Sequence, residues 1–87
     1  MKIETDRIVN TNAASLLQLG EAAIHSGDVE FDLSDVKRLD SSAVALVLAW
    51  DRAVRARGGS LKLKGIPDSL RSLAKLYGVD SLIPMAG

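Results

Sequence analysis

Eighty-seven residues, 47% hydrophobic and 25% charged, suit one globular core and predict a single domain over 1–87. Eleven acidic residues balance eleven basic ones, and Phe31, Trp50 and Tyr77 are the only aromatic side chains, so neither a phosphate-attracting field nor rings for base stacking point to nucleic acid. The lack of cysteine removes disulfides, thiolate metal sites and a cysteine nucleophile. No run approaches the ~18 apolar residues of a membrane span, so a soluble, cytoplasmic chain without membrane insertion is expected.

In chain order, the imperfect alternation over 2–9 predicts a strand near a sheet edge. Thr11 or Asn12 is placed to cap a helix over 13–25, whose stripe is Ala13, Leu16, Leu17, Ala23 and Ile24 and whose stop is Gly27. Val29, Phe31 and Leu33 alternate with Glu30 and Asp32, the period-two signature of a strand with one apolar face. A turn follows, and then an apolar run from Ala43 to Trp50 that continues through Arg55 and ends at Gly58-Gly59. Its length excludes a strand, and its basic last turn suits a helix C-terminus.

Within this central helix Ala43, Leu46, Val47, Trp50 and Val54 share one face and should pack on the sheet. Val44, Ala45, Leu48 and Ala49 occupy the other sides, and a helix apolar all round its first half predicts a partner surface. Leu61 and Leu63 alternate with lysines as another half-buried strand. Pro67 then opens a last helix with Leu70, Leu73, Ala74 and Tyr77 as its buried stripe and Gly78 as its end. Leu82 and Ile83, before Pro84, either add a short final strand or dock.

His25, the single histidine, stands at a helix end without a second metal ligand at i+3 or i+4, which predicts a C-terminal capping role. Asp32 and Asp35 lack a third group for acid–base work and read as turn and sheet-edge residues. Gly58-Gly59 follows a helix instead of opening one, so no phosphate cradle is present. The expectation is a protein without catalytic residues, cofactor or metal. Asp40, Ser41 and Ser42 remain, at a helix start whose N–H groups lack intrahelical partners; capping is the simplest role for such residues.

The segment Val29-Glu30-Phe31-Asp32-Leu33-Ser34-Asp35-Val36-Lys37-Arg38-Leu39-Asp40-Ser41-Ser42-Ala43-Val44 resembles STAS domains, the fold shared by sulphate transporter tails and anti-sigma factor antagonists. The resemblance runs over about 6–84. It implies an α/β domain with a mixed β-sheet of about three or four strands covered by three α-helices. In antagonists the hydroxyl residue after the aspartate is phosphorylated by the partner kinase, a position that falls on Ser41. The stretch Leu73-Ala74-Lys75-Leu76-Tyr77-Gly78-Val79, with Leu82-Ile83-Pro84, is similar to the C-terminal helix of MlaB-type subunits of phospholipid ABC transporters. Those subunits bind the transporter's ATPase and support outer-membrane lipid asymmetry.

This resemblance implies a non-enzymatic interaction subunit that regulates an ABC transporter ATPase subunit through Ser41, with Asp40, Ser42 and Val44 as further contact candidates. The alternative it implies is an anti-sigma factor antagonist, switched when an anti-sigma factor kinase phosphorylates Ser41. Two features depart from the family pattern: an additional N-terminal strand is lacking, and Ala43-Val44 stands where a Gly is usual. An unpaired strand edge, added to the apolar sides of the central helix, predicts self-association into a homo-oligomer.

Overall fold

The computed structural model of the protein describes residues 1–83. In chain order it contains β1 (Arg7–Ile8), α1 (Ala13–His25), β2 (Glu30–Asp32), β3 (Arg38–Leu39), α2 (Ser41–Ala56), β4 (Lys62–Lys64) and α3 (Asp68–Leu76). The α/β class and the three helices agree with the sequence reading. The strands form two pairs of two: β1 runs parallel to β3 with Ile8 opposite Leu39, and β2 parallel to β4 with Phe31 opposite Leu63. Each connection contains a helix, which returns the chain to the same end of the sheet and so makes neighbours parallel.

The two pairs are two halves of one surface. Lys2 bridges Asp32 in parallel, the Ile3 amide donates to the Asp32 carbonyl at 2.9 Å, and the Leu33 amide donates to the Lys64 carbonyl at 2.8 Å. The segment 30–40 therefore lies between the N-terminal residues and β4. It is broken in the middle because Asp32 Oδ1 accepts the Ser34 amide at 2.9 Å and the Val36 amide donates back to Leu33. That turn takes up backbone groups that would otherwise extend the ladder. Among the described residues the N-terminal segment pairs along one side, as an edge.

Helix α2 sits at the centre of the core. Ala43, Val47, Trp50 and Val54 are fully buried, and Trp50 meets Phe31 edge-on with ring centroids 4.8 Å apart. The indole is seated against Gly20 of α1, where a Cβ would overlap Nε1 and lie 2.8 Å from Cδ1. Gly20 thus lets the two helices approach with a tryptophan between them. Trp50 Nε1 is buried and finds no acceptor among the described residues.

Several local expectations change. Asn12 stands at the N-cap of α1, but its side chain does not cap: Oδ1 accepts from the Val9 amide at 2.9 Å and Nδ2 donates to the Arg7 carbonyl at 2.9 Å, bracing the preceding turn. His25 is exposed, and its carbonyl is met by the Arg57 guanidinium at 3.3 Å, so an arginine from beyond α2 caps the end assigned to the histidine. Gly78 is in the left-handed region, and the Val79 amide folds back to the Ala74 carbonyl at 2.9 Å, as a glycine stop requires. Tyr77, expected in the buried stripe of α3, is instead 54% exposed: it lies one residue past the helix, beyond the core that buries Leu70 and Ala74. Ile83 docks into the core after a turn, so the final-strand alternative does not arise over 79–83; Pro84 lies outside the described residues.

Candidate partner-binding face

Asp40 organises the start of α2. Its extended backbone turns the side chain onto the helix, where Oδ1 accepts the Ser42 amide at 2.8 Å while Oδ2 accepts the Asn10 amide at 3.1 Å. The Asp40 amide meanwhile donates to the Ile8 carbonyl at 3.2 Å. One residue thus caps α2 and ties it to the turn before α1. The Ser42 amide holds the Asp40 carboxyl below its ordinary range, with the Ser42 hydroxyl and the Asn10 amide adding to the effect against some loss of solvent. Asp40 is the cap, which releases Ser41 from that role.

Ser41 is exposed at the first helical position, and its hydroxyl makes no hydrogen bond among the described residues. Ser42 is half-buried. Val44 is only 5% exposed, so it shows an edge to the surface while its bulk belongs to the core. Of the four residues singled out in the sequence, three therefore converge on the helix start and one turns inward.

Two grooves flank the outer side of α2. The first, towards the C-terminal end of α3, is lined by Ser41, Val44, Ala45, Leu48, Tyr77 and Val79. In the second, towards α1, Ser42, Ala45 and Ala49 face Ala13, Ala14 and Leu17, with Arg52 at the end. Ala45 borders both. Leu48 and Arg52 continue the surface into a hollow shared with Asp51, Arg55 and Leu82. Leu82, on the border of that hollow, is 56% exposed, which extends the apolar character of this side beyond the two grooves.

Sequence reasoning missed Tyr77 as a surface residue, because helical periodicity assigns a face but not how far the core reaches along it. Ala45 and Leu48 were signalled by the apolar run that left no polar side on the first half of the helix. Among the described residues no group of three or more His, Cys, Asp or Glu could hold a metal ion, and no helix is long and apolar enough to cross a membrane. What the arrangement offers chemically is an apolar surface rimmed by a hydroxyl at one end and guanidinium groups at the other. Such a surface binds by excluding water.

The chain is 34% identical over 64 residues to the intermembrane phospholipid transport system binding protein MlaB of Escherichia coli (strain K12), covering 74% of this chain and 65% of that protein. The protein of the same name from Shigella flexneri matches with the same identity and coverage. The match thus spans about 65% of the length of these relatives. The family described as "Mlab, STAS domain" matches residues 5–84, both grooves included, and the chain belongs to that family.

Proposed function

We propose that the protein is a non-enzymatic interaction subunit of an ABC phospholipid transport system that maintains outer-membrane lipid asymmetry. In this reading residues 1–87 are one STAS domain that works in the cytoplasm and binds and regulates the transporter's ATPase subunit. The observation that carries the reading is the apolar face around the start of α2, left open by the domain's own core in a chain of the MlaB family. Leu48 and Tyr77 supply the apolar area, and Ser41 sits on the rim where a partner's edge closes over it. Regulation needs no chemistry in this subunit: docking that favours one arrangement of the ATPase shifts its population towards that arrangement.

The test is Ser41→Glu, read in two ways. A carboxylate in the first turn of a helix is electrostatically favourable, so thermal unfolding of the free domain should stay close to wild type. At an interface fitted to a neutral hydroxyl the same charge must be desolvated, so co-purification of the ATPase subunit should fall sharply. Unfolding of the variant, or wild-type recovery of the ATPase, removes Ser41 from the interface. Absence of ATPase binding by the wild-type protein removes the reading itself. One observation favours the second reading, an anti-sigma factor antagonist: a hydroxyl at the phosphorylation position with no partner of its own among the described residues. Incubation with the cognate anti-sigma factor kinase and ATP, followed by mass spectrometry, would place phosphate on Ser41 if that reading holds.

A further inference from the structure

We propose that two copies of this chain pair edge to edge through residues 2–4, antiparallel about a two-fold axis at Ile3, with Lys2 of each copy opposite Glu4 of the other. The contact uses the edge of the sheet and leaves the outer side of α2 free for a different partner.

The backbone fixes which residues can pair. The Ile3 amide donates to the Asp32 carbonyl and the Asp32 amide to the Met1 carbonyl, both at 2.9 Å. Successive residues of an extended segment turn their N–H and C=O groups to opposite sides, so those of Lys2 and Glu4 turn away from the sheet. Neither residue's amide or carbonyl has a partner among the described residues. Ile3 between them is 1% exposed and anchors the segment in the core. The run is short, because the chain bends at Asp6, whose carbonyl accepts from the Lys37 and Arg38 amides at 2.7 and 3.0 Å.

Charge fixes the register. A hydrogen-bonded antiparallel pair exchanges both N–H···O bonds, so an outward-turned residue must stand opposite another outward-turned residue. An axis at Lys2 or at Glu4 would set that residue against its own copy, like charge on like charge. An axis at Ile3 sets Lys2 against Glu4 twice, and every backbone group exposed along 2–4 is then bonded. Glu4 is exposed and makes no ion pair among the described residues. Lys2 lies 3.5 Å from Asp35 with both side chains half-exposed, which leaves the ammonium room for a second carboxylate. The edge at β4 lacks this complementarity: Lys62 and Lys64 flank Leu63, and antiparallel pairing of that strand with its own copy sets lysine against lysine. The contact at Ile3 is the same patch on both copies, so it closes at two and does not propagate.

So small a contact makes a weak dimer. Sedimentation equilibrium of the tag-free protein up to about 1 mM should show monomer and dimer and no larger species. Lys2→Glu and Glu4→Lys each make both pairs like-charged and should weaken dimerisation about tenfold or more, while the dilute variants unfold close to the wild-type temperature. Mixed in equal amounts, the two variants should form a heterodimer, because each meets the opposite charge at both positions. The double variant K2E/E4K should dimerise as wild type does. A wild-type protein that stays monomeric throughout overturns the proposal. So does self-association that both single variants retain, and its loss in Leu48→Lys would then move it to the outer side of α2. Dissociation of the single variants that neither mixing nor the double variant reverses overturns the register. Loss of ATPase recovery in the single variants with dimerisation unaltered would give the edge to the ATPase subunit instead.

Discussion

The two sides of α2 obey different rules although both are apolar. On the inner side Ala43, Val47, Trp50 and Val54 are fully buried, and the largest of them stands edge-on to Phe31. On the outer side Ser41, Ala45 and Arg52 are exposed, with Leu48 and Ala49 half-covered, and nothing from the described chain fills the grooves beside them. Burial of apolar area stabilises the first set within the domain, at about 25 cal/mol per Å². The same term is still available to the second set, and only a partner can realise it. Substitutions on the inner side should therefore be read in unfolding experiments and those on the outer side in binding experiments.

The sharpest way to break that division lies at Gly20. Replacement by alanine would ordinarily stabilise a helix interior by about 1 kcal/mol. Here the added Cβ collides with the Trp50 indole, which is fully buried and held by Phe31 on another side. Overpacking of this kind costs about 1–3 kcal/mol, and because the ring has no open direction the upper end should apply and exceed the propensity gain. Gly20→Ala should lower the urea midpoint clearly. A midpoint at or above wild type would mean that the indole has room to move and that the inner face is looser than its burial implies.

Asp40 joins the two sides, because it is a fold residue placed beside the rim of the outer face. Asp40→Ala removes the acceptor of the Ser42 and Asn10 amides together, and loss of a helix cap should lower the melting temperature of a domain this small by about 4–8 °C. The effect has a definite pH dependence. The Asp40 carboxyl titrates lower in the folded chain, chiefly because the Ser42 amide donates to it, and Asp32 is lowered in the same direction by the Ser34 hydroxyl and amide. As pH falls below about 4, the unfolded chain takes up protons that the folded chain refuses. Stability is then fully present above that pH and is lost as pH drops through the folded values. The difference between wild type and Asp40→Ala should narrow in acid, and a gap that stays constant from pH 7 to pH 3 would argue against an ionised cap.

How much of this was legible in the sequence depends on the range of the interaction concerned. Val29, Phe31 and Leu33, or Ala43 through Trp50, declare their element by period alone, because side-chain direction in a strand or helix is set by the local backbone. That Asp40 and not Ser41 caps α2 was not legible. Both residue types cap well, and the choice is made by Asn10, thirty residues away, which engages the second carboxylate oxygen. Asn12 was misread for the converse reason: its amide finds Arg7 and Val9 nearer than the helix it precedes. The surface role of Tyr77 depends on where the core ends beneath α3, and the groove at Ala45 on the spacing of α1 and α2, neither of which any local pattern encodes. The outer face was nevertheless announced, because a helix start with no polar side contradicts a surface position unless something covers it.

The smallest expected effect is the most discriminating for the comparison. Ser41→Ala removes a hydroxyl that bonds to nothing among the described residues and leaves the Asp40 cap intact, so stability should stay within about 0.5 kcal/mol of wild type. Alanine is also the better helix former, which tilts any residual change towards stabilisation. Binding should respond differently from Ser41→Glu: a methyl group on the rim of an apolar groove needs no desolvation, so the loss of ATPase affinity should be much smaller than that caused by the carboxylate. Unfolding of Ser41→Ala and Asp40→Ala side by side, together with ATPase recovery for Ser41→Ala and Ser41→Glu, separates the two roles. If Ser41→Ala melts as early as Asp40→Ala, the serine belongs to the fold. If it melts with wild type while Ser41→Glu alone loses the partner, the hydroxyl position belongs to the outer face, and the boundary between the two sides of α2 passes between residues 40 and 41.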